Sequence, residues 1–168
     1  MKWIGISGSW RKTNRELEKD VIKTVREIIN RGDGIISGGA LNVDYFATRE
    51  VMKLDPKAEK IKIFLPAPLK IYAEHYRNRA NEGVITKNQA EQLIKQLSRL
   101  RKINPAALIE NKQHKEVNEK AYYDRSSAVI ATSDELIAFW VNRSDGTKDA
   151  IEKAKEKGIP VKIIIYTI

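Results

Sequence analysis

Short, continuously apolar runs that stop at Gly, Ser or Pro and give way to amphipathic stretches recur along this 168-residue chain. That recurrence limits what the chain can fold into. Residues 2–7 (KWIGIS) end at Gly8-Ser9, residues 33–37 (DGIIS) end at Gly38-Gly39, and residues 60–65 (KIKIFL) end at Pro66-Ala67-Pro68. Residues 135–140 (ELIAFW) and 161–166 (VKIIIY) complete the set. Each is too short for a helix and rich in branched and aromatic residues, as a buried strand requires. Between them lie helical patterns. Leu17, Val21, Val25 and Ile28 follow Thr13-Asn14-Arg15-Glu16, which reads as a Ser/Thr-x-x-Glu capping box. Phe46, Ala47, Val51 and Leu54 mark a helix from about residue 42, stopped at Asp55-Pro56 because proline pushes its predecessor out of the α region. Residues 146–157 form another, closed by Gly158-Ile159-Pro160.

Residues 60–65 alternate, but the other strands read as continuous apolar runs, and strands alternating with helices in this way indicate a parallel sheet covered on both faces. The expectation is a single Rossmann-like α/β domain with about five strands.

The middle of the chain reads differently. Ala90, Leu93, Ile94, Leu97, Leu100 and Ile103 make an apolar stripe on a helix ended by Asn104-Pro105, and a further helix is predicted over about 116–130. Residues 70–120 hold 11 Lys and Arg against 6 Asp and Glu, and so carry +5 of the total +9. The segment 70–118 is therefore expected to be a basic, mostly helical insertion, and its stripe a surface on which a second subunit could bury, giving a homodimer. A basic balance favours a phosphorylated or polyanionic partner. Tyr72, Tyr76, Arg77 and Arg79 interleave aromatics with charge, as single-strand binders do, although a solvated helix face is the better account of the charge. No apolar run reaches the ~18 residues of a membrane span, the start is too short for a signal peptide, and cysteine is absent. A cytoplasmic chain without a disulfide or thiolate metal site is the expectation. His75 and His114 stand apart and suggest no metal; surface or loop positions are expected for both.

In such a sheet, ligands bind outside the carboxyl ends of the strands. Three strand ends carry Gly with small polar residues: Ser7-Gly8-Ser9-Trp10-Arg11, Ser37-Gly38-Gly39-Ala40, and Asn142-Arg143-Ser144-Asp145-Gly146-Thr147. Glycine permits close approach of backbone to phosphate, and a helix N-terminus aims N–H groups at it. Any one is an ordinary strand-to-helix turn; three on one rim point to a phosphate or nucleotide site. The dinucleotide fingerprint G-x-G-x-x-G is missing from the first. Trp10 is placed to stack on a base. Trp3 and Trp140 are expected to pack in or beside the sheet.

Taken as a set, Gly5-x-Ser7-Gly8-Ser9, Ser37-Gly38-Gly39-Ala40-x-x-x-Asp44 and Ser133-Asp134-x-x-Ile137-Ala138-Phe139-Trp140 resemble the SLOG superfamily. The stretch Ser144-x-Gly146-Thr147-Lys148-Asp149-Ala150-Ile151 and the later Gly158-Ile159-Pro160-Val161 extend the likeness. It covers about residues 1–68 and 116–166 and is nearest the YspA-like branch, related to the DNA-processing protein DprA. The resemblance implies a Rossmann-like domain that binds nucleotides, nucleotide-derived small molecules or, in the DprA group, single-stranded DNA. By it, Ser7, Gly8, Ser9, Trp10, Arg11, Ser37, Gly38, Gly39, Ala40, Asp44, Arg125, Ser144, Gly146 and Thr147 form the candidate ligand site, and no tightly held cofactor or metal is expected.

Two departures bear on chemistry. The LOG-type phosphoribohydrolases and the similar deoxyribosyltransferases carry a catalytic Glu four residues after the Gly of their Gly-Thr turn, where this chain has Ala150. Arg125-Ser126 stands where those relatives have Arg-Asn. A glycosidic reaction would have to use Asp44 or Asp149, and Asp149 is rotated by ~100° on its helix. Asp44 is otherwise a first-turn helix carboxylate, Arg125 a surface partner of Asp124 or Glu119, and Asp134 a turn residue. Three readings remain: a nucleotide-binding protein, an N-glycoside hydrolase on the same site, and a DprA-like single-strand binder.

Overall fold

In the computed structural model all 168 residues are described, and six strands form one parallel sheet in the order β4-β3-β2-β1-β5-β6. The elements run β1 (Trp3–Gly8), α1 (Arg15–Asn30), β2 (Gly34–Ser37), α2 (Val43–Leu54), β3 (Ile61–Leu65), α3 (Leu69–Asn81) and α4 (Lys87–Ile103). After a 3-10 turn (Pro105–Ala107) come β4 (Leu108–Glu110), α5 (Glu119–Thr132), β5 (Glu135–Val141), α6 (Asp145–Lys157) and β6 (Val161–Tyr166). Five of the strands and their order of alternation agree with the sequence reading. The sixth, β4, has only three residues, too few to show any periodicity, and it pairs Leu108 with Ile63.

Inward and outward faces of one strand separate two cores. Ile137, Phe139 and Val141 of β5 join the larger cluster with Leu17, Val21 and Val25 of α1 and Val43 and Val51 of α2. Leu136 and Ala138 turn the other way, onto Ile130 of α5 and Ala150, Ile151 and Ala154 of α6. Helices thus cover both faces, which is why the central strands β1, β2 and β5 read as largely apolar runs. Trp3 and Trp140 are half-buried beside the sheet, Trp140 donating from Nε1 to the Ser144 carbonyl. Asp134 holds the entry to β5, accepting the Trp3 N–H at 2.8 Å. No helix is long and apolar enough to cross a membrane.

Two expectations change. The first concerns α1, whose N-cap is Asn14, with Oδ1 accepting the Leu17 N–H at 2.9 Å. The helix begins one residue later than a Thr13 cap would require. Glu16 then sits at the second helical position and cannot reach back as a capping-box partner. The working capping box is at α4, where Thr86 and Gln89 cap each other reciprocally.

The second concerns the basic middle. Ala90, Leu93, Leu97 and Leu100 of α4 are buried in the main core of their own chain, together with Tyr72 and Tyr76 of α3. That stripe does not await a second subunit; only Ile103, at its end, is exposed. The same burial removes Tyr72 and Tyr76 from service as an exposed stacking ladder, while Arg77 pairs with Glu91 and Arg79 with Glu82.

Leaving β1 and β5, the chain departs to opposite faces of the sheet. α1 lies with α2 on one face and α6 with α5 on the other, so a crevice opens between the two strand ends. Gly8 sets how closely this rim packs. A Cβ there would lie 2.5 Å from Cγ2 of Val43, so β1 meets the first turn of α2 only because the side chain is missing. Gly8→Ala is expected to destabilise the fold by about 1–3 kcal/mol through overpacking. Urea unfolding should show Gly8→Ala costing less in a Val43→Ala background than in the parent, since two of the three clashing carbons are then gone.

Candidate functional site

A cleft of about 1230 Å³ lies over the carboxyl ends of β1, β2 and β5. The turn after β1 is held by Ser9, whose Oγ accepts the N–H groups of Arg11 at 3.3 Å and Lys12 at 3.2 Å. This leaves Trp10 exposed, with the Arg11 guanidinium 5.5 Å from its ring centroid, so charge and aromatic surface form one platform at the rim. Asn42 ties that turn to α2: its φ is +61° and its Nδ2 donates to the Trp10 carbonyl at 2.6 Å.

Behind β2, the loop is clamped from three sides. Arg125, reaching across from α5, donates through Nη1 to the Gly38 carbonyl at 3.0 Å. A Cβ on Gly38 would stand 2.8 Å from Arg125 Nε, so this glycine makes room for a guanidinium of the protein itself. Tyr72 donates its hydroxyl to the Gly39 carbonyl at 3.0 Å. Asp44 accepts the Ala40 N–H at 3.1 Å and is 6% exposed. Burial raises the pKa of Asp44, opposed by the nearby positive charge of Arg125 and by the N–H groups of Ala40 and Gly38. Asp44 thus ties down the loop from the first turn of α2 while still lining the cleft. Arg125 forms no bond to Asp124 or Glu119; Asp124 pairs instead with His114 at 2.7 Å.

The third strand end presents the start of α6. Asn142 and Arg143 both have positive φ, at 48° and 53°, which turns the chain sharply after β5. Ser144 is the N-cap but gives its Oγ to Thr147 Oγ1 at 3.1 Å, not to backbone. The first N–H groups of α6 therefore have no side-chain cap, and the helix dipole adds partial positive charge there. Arg143 turns away to Trp140 and does not line the cleft.

Of the residues singled out in the sequence, Ser7, Gly8, Ser9, Trp10, Arg11, Gly38, Ala40, Asp44, Arg125, Ser144, Gly146 and Thr147 come together on this cleft. Ser37 and Gly39 do not. Ser37 is fully buried, and Gly39, with φ +68°, points its missing Cβ at Leu65 and Ile63 in the core. Asp149 is on the wall but bonded to Lys153 at 2.7 Å, and Ala150 beside it is 5% exposed.

A further wall comes from the basic middle, which the sequence did not connect with the loops. His75, Tyr76 and Arg79 of α3, Val84 and Ile85 of the following turn and Tyr122 of α5 all face the cleft. His75 is not a loop residue: its Nε2 lies 3.2 Å from the Tyr122 hydroxyl. Leu69, Tyr72, Ala73 and Tyr76 are the buried positions of α3, at helical spacing, and that stripe was the available signal that 69–81 belongs to the core. The cleft is nearly neutral, because Arg11, Lys12, Arg79 and Arg125 are matched by Asp44, Glu119, Asp145 and Asp149. The chain's +9 lies elsewhere.

No family model matches the chain, and no curated protein matches it significantly. Solved structures do share its fold. DNA processing protein A from Helicobacter pylori, described for its single-stranded DNA binding mode, superposes with a TM-score of 0.70 at 20% identity, over 96% of this chain and 64% of that one. DNA processing protein A from Streptococcus pneumoniae gives 0.66 at 16% identity, over 99% of this chain and 51% of that one. The molybdenum cofactor carrier protein from Chlamydomonas reinhardtii gives 0.57 at 13% identity, over 100% and 90% respectively. This chain therefore spans only about half to two thirds of the two DNA-processing proteins. The fold is the Rossmann-like one expected from the SLOG resemblance.

Two outcomes follow from the Arg125 clamp. Arg125→Met, which keeps bulk but leaves the Gly38 carbonyl without its donor and Asp44 without its nearest positive charge, should cost about 2–4 kcal/mol in urea unfolding. Asp44 binds its proton more tightly folded than unfolded, so its stabilising contribution is complete below the unfolded pKa and is lost as pH rises through the raised folded value. Asp44→Asn removes that titration. The stability of the variant relative to the parent should therefore rise with pH across the acidic range, and a flat difference would show the carboxyl to be unperturbed.

Proposed function

We propose that this protein binds a nucleotide or nucleotide-derived small molecule in the cleft, as a sensor or carrier, and that it falls in the YspA-like branch of the SLOG resemblance. The observation that carries this reading is the convergence of three strand-end loops on one cavity, one of them ending in the uncapped N-terminus of α6 beside Gly146 and Thr147. Uncapped N–H groups and Arg11 are the donors a phosphate needs, with the Ser144–Thr147 hydroxyl pair beside them. The volume is of the order expected for a nucleotide-sized ligand.

A near-neutral cleft favours a small ligand over a long strand, whose phosphates each call for a cation. The second reading, single-strand binding, is supported by the likeness to the Helicobacter pylori protein. A glycosidic reaction is disfavoured, because Ala150 occupies the wall where a carboxylate would be needed and Asp149 is held by Lys153.

A thermal-shift screen with mononucleotides, NAD, ADP-ribose, cyclic dinucleotides and short single-stranded DNA tests the choice. A ligand at 100 times its Kd should add about 2.7 kcal/mol, a rise of roughly 5–10 °C for a domain of this size. Gly146→Asp is the matching control: a Cβ there meets nothing within 4 Å, so the fold tolerates it while charge and bulk enter the phosphate end. A small-molecule shift lost in Gly146→Asp supports the proposal. A shift with DNA alone, fading as salt rises, transfers the function to single-strand binding.

A further inference from the structure

The cleft is chemically two-ended. At the β1 and α6 side it offers hydroxyls, backbone N–H groups and the Arg11 charge. The α3 side is different. Tyr76 backs the wall, 4% exposed, and Val84 and Ile85 are half-buried apolar positions in front of the cleft. His75 stands edge-on to both neighbours, 5.8 Å from the Tyr76 ring centroid and 6.2 Å from that of Tyr122. Tyr122 in turn carries the Arg125 guanidinium 4.9 Å from its ring centroid. The His75–Tyr122 bond therefore continues the clamp that holds the Gly38 loop.

Such a wall suits a flat, uncharged heteroaromatic group. It offers ring edges and branched aliphatic contacts, and the one α3 cation beside it, Arg79, is already paired with Glu82. Nε2 of His75 is engaged by Tyr122, and Nδ1 has no partner within the protein. Burial and the positive charge of Arg79 hold His75 below its usual pKa, which favours the neutral imidazole. A neutral ring nitrogen fixed by a neighbouring phenol is a directional hydrogen-bonding group for a base edge.

Building on the nucleotide reading above, we infer that the His75–Tyr122 wall is a nucleobase subsite, with His75 Nδ1 reading the base edge while the α6 end holds the phosphate. The ligand is then a nucleotide with its base attached, not a sugar phosphate. His75 acts in recognition and takes part in no bond-breaking step.

Titration calorimetry with AMP, GMP, CMP, UMP and ribose 5-phosphate tests this on the intact chain. At least one of the four nucleotides should bind about tenfold or more tighter than ribose 5-phosphate. In His75→Ala that preference should fall by roughly three- to tenfold, the loss of one directional hydrogen bond, while the affinity for ribose 5-phosphate stays unchanged. Tyr122→Phe keeps the ring under Arg125 and frees only the hydroxyl, so it should lower the preference less than His75→Ala. Gly146→Asp should weaken nucleotide and ribose 5-phosphate alike. Equal binding of nucleotides and ribose 5-phosphate by the parent chain overturns the base subsite and leaves the phosphate-site reading standing. So does a preference untouched by both His75→Ala and Tyr122→Phe. If none of the five probes binds, the base subsite falls, and the nucleotide reading stands or falls separately on the thermal-shift screen with the larger ligands.

Discussion

The guanidinium of Arg125 is the interaction on which the rest of the site depends. It comes from α5, on one face of the sheet, and its bond ends on the Gly38 carbonyl beyond β2. Its charge bears on Asp44 at the start of α2, on the other face, and its Cζ lies 4.9 Å from the Tyr122 ring centroid. One side chain thus ties both layers of helices to the same loop. Gly38 must be glycine because the guanidinium occupies the space of a Cβ. Neutralising or shortening Arg125 would leave a buried carboxylate and a backbone carbonyl facing a void.

The segment 69–103 then converts an open rim into a walled cleft. Without α3 and α4 the crevice between β1 and β5 would be a shallow groove along the strand ends. With them, Tyr72 fixes the Gly39 carbonyl from below, and His75 and Tyr76 close the side. Much of the positive charge on this segment remains on the outside, as on Arg77 and Arg99, so a basic stretch of sequence brings a single cation, Arg79, to the cleft. Charge counted along a chain says how much there is, and the helix phase decides which way it faces.

Glycine in a strand-end loop has more than one physical cause here. Gly8 is required by Val43, Gly38 by Arg125 and Gly39 by a positive φ over Ile63 and Leu65. Only Gly146 has open space before it, and it alone keeps the simple meaning of room left for a ligand. A glycine pattern shared with ligand-binding folds therefore reports close packing at the rim as much as ligand approach.

Residue types and their spacing were enough to determine five strands, their intervening helices, the parallel sheet and the three loops at its carboxyl edge. Those features depend on local propensity and on the period of apolar residues, which any stretch of chain carries within itself. Most of the candidate residues were legible for the same reason, since each stood at the end of a strand. What only the tertiary structure decided depends on contacts between distant segments. The three-residue β4 exists because β3 offers it an edge. The α4 stripe is core because α3 and the sheet cover it, although the same stripe on an isolated helix would suit a dimer. Ser37 and Gly39 face inward because of how the β2 loop turns under Arg125 and Tyr72. His75 joins the cleft only because Tyr122, 47 residues further along the chain, comes to lie beside it, and no period in the sequence spans that distance.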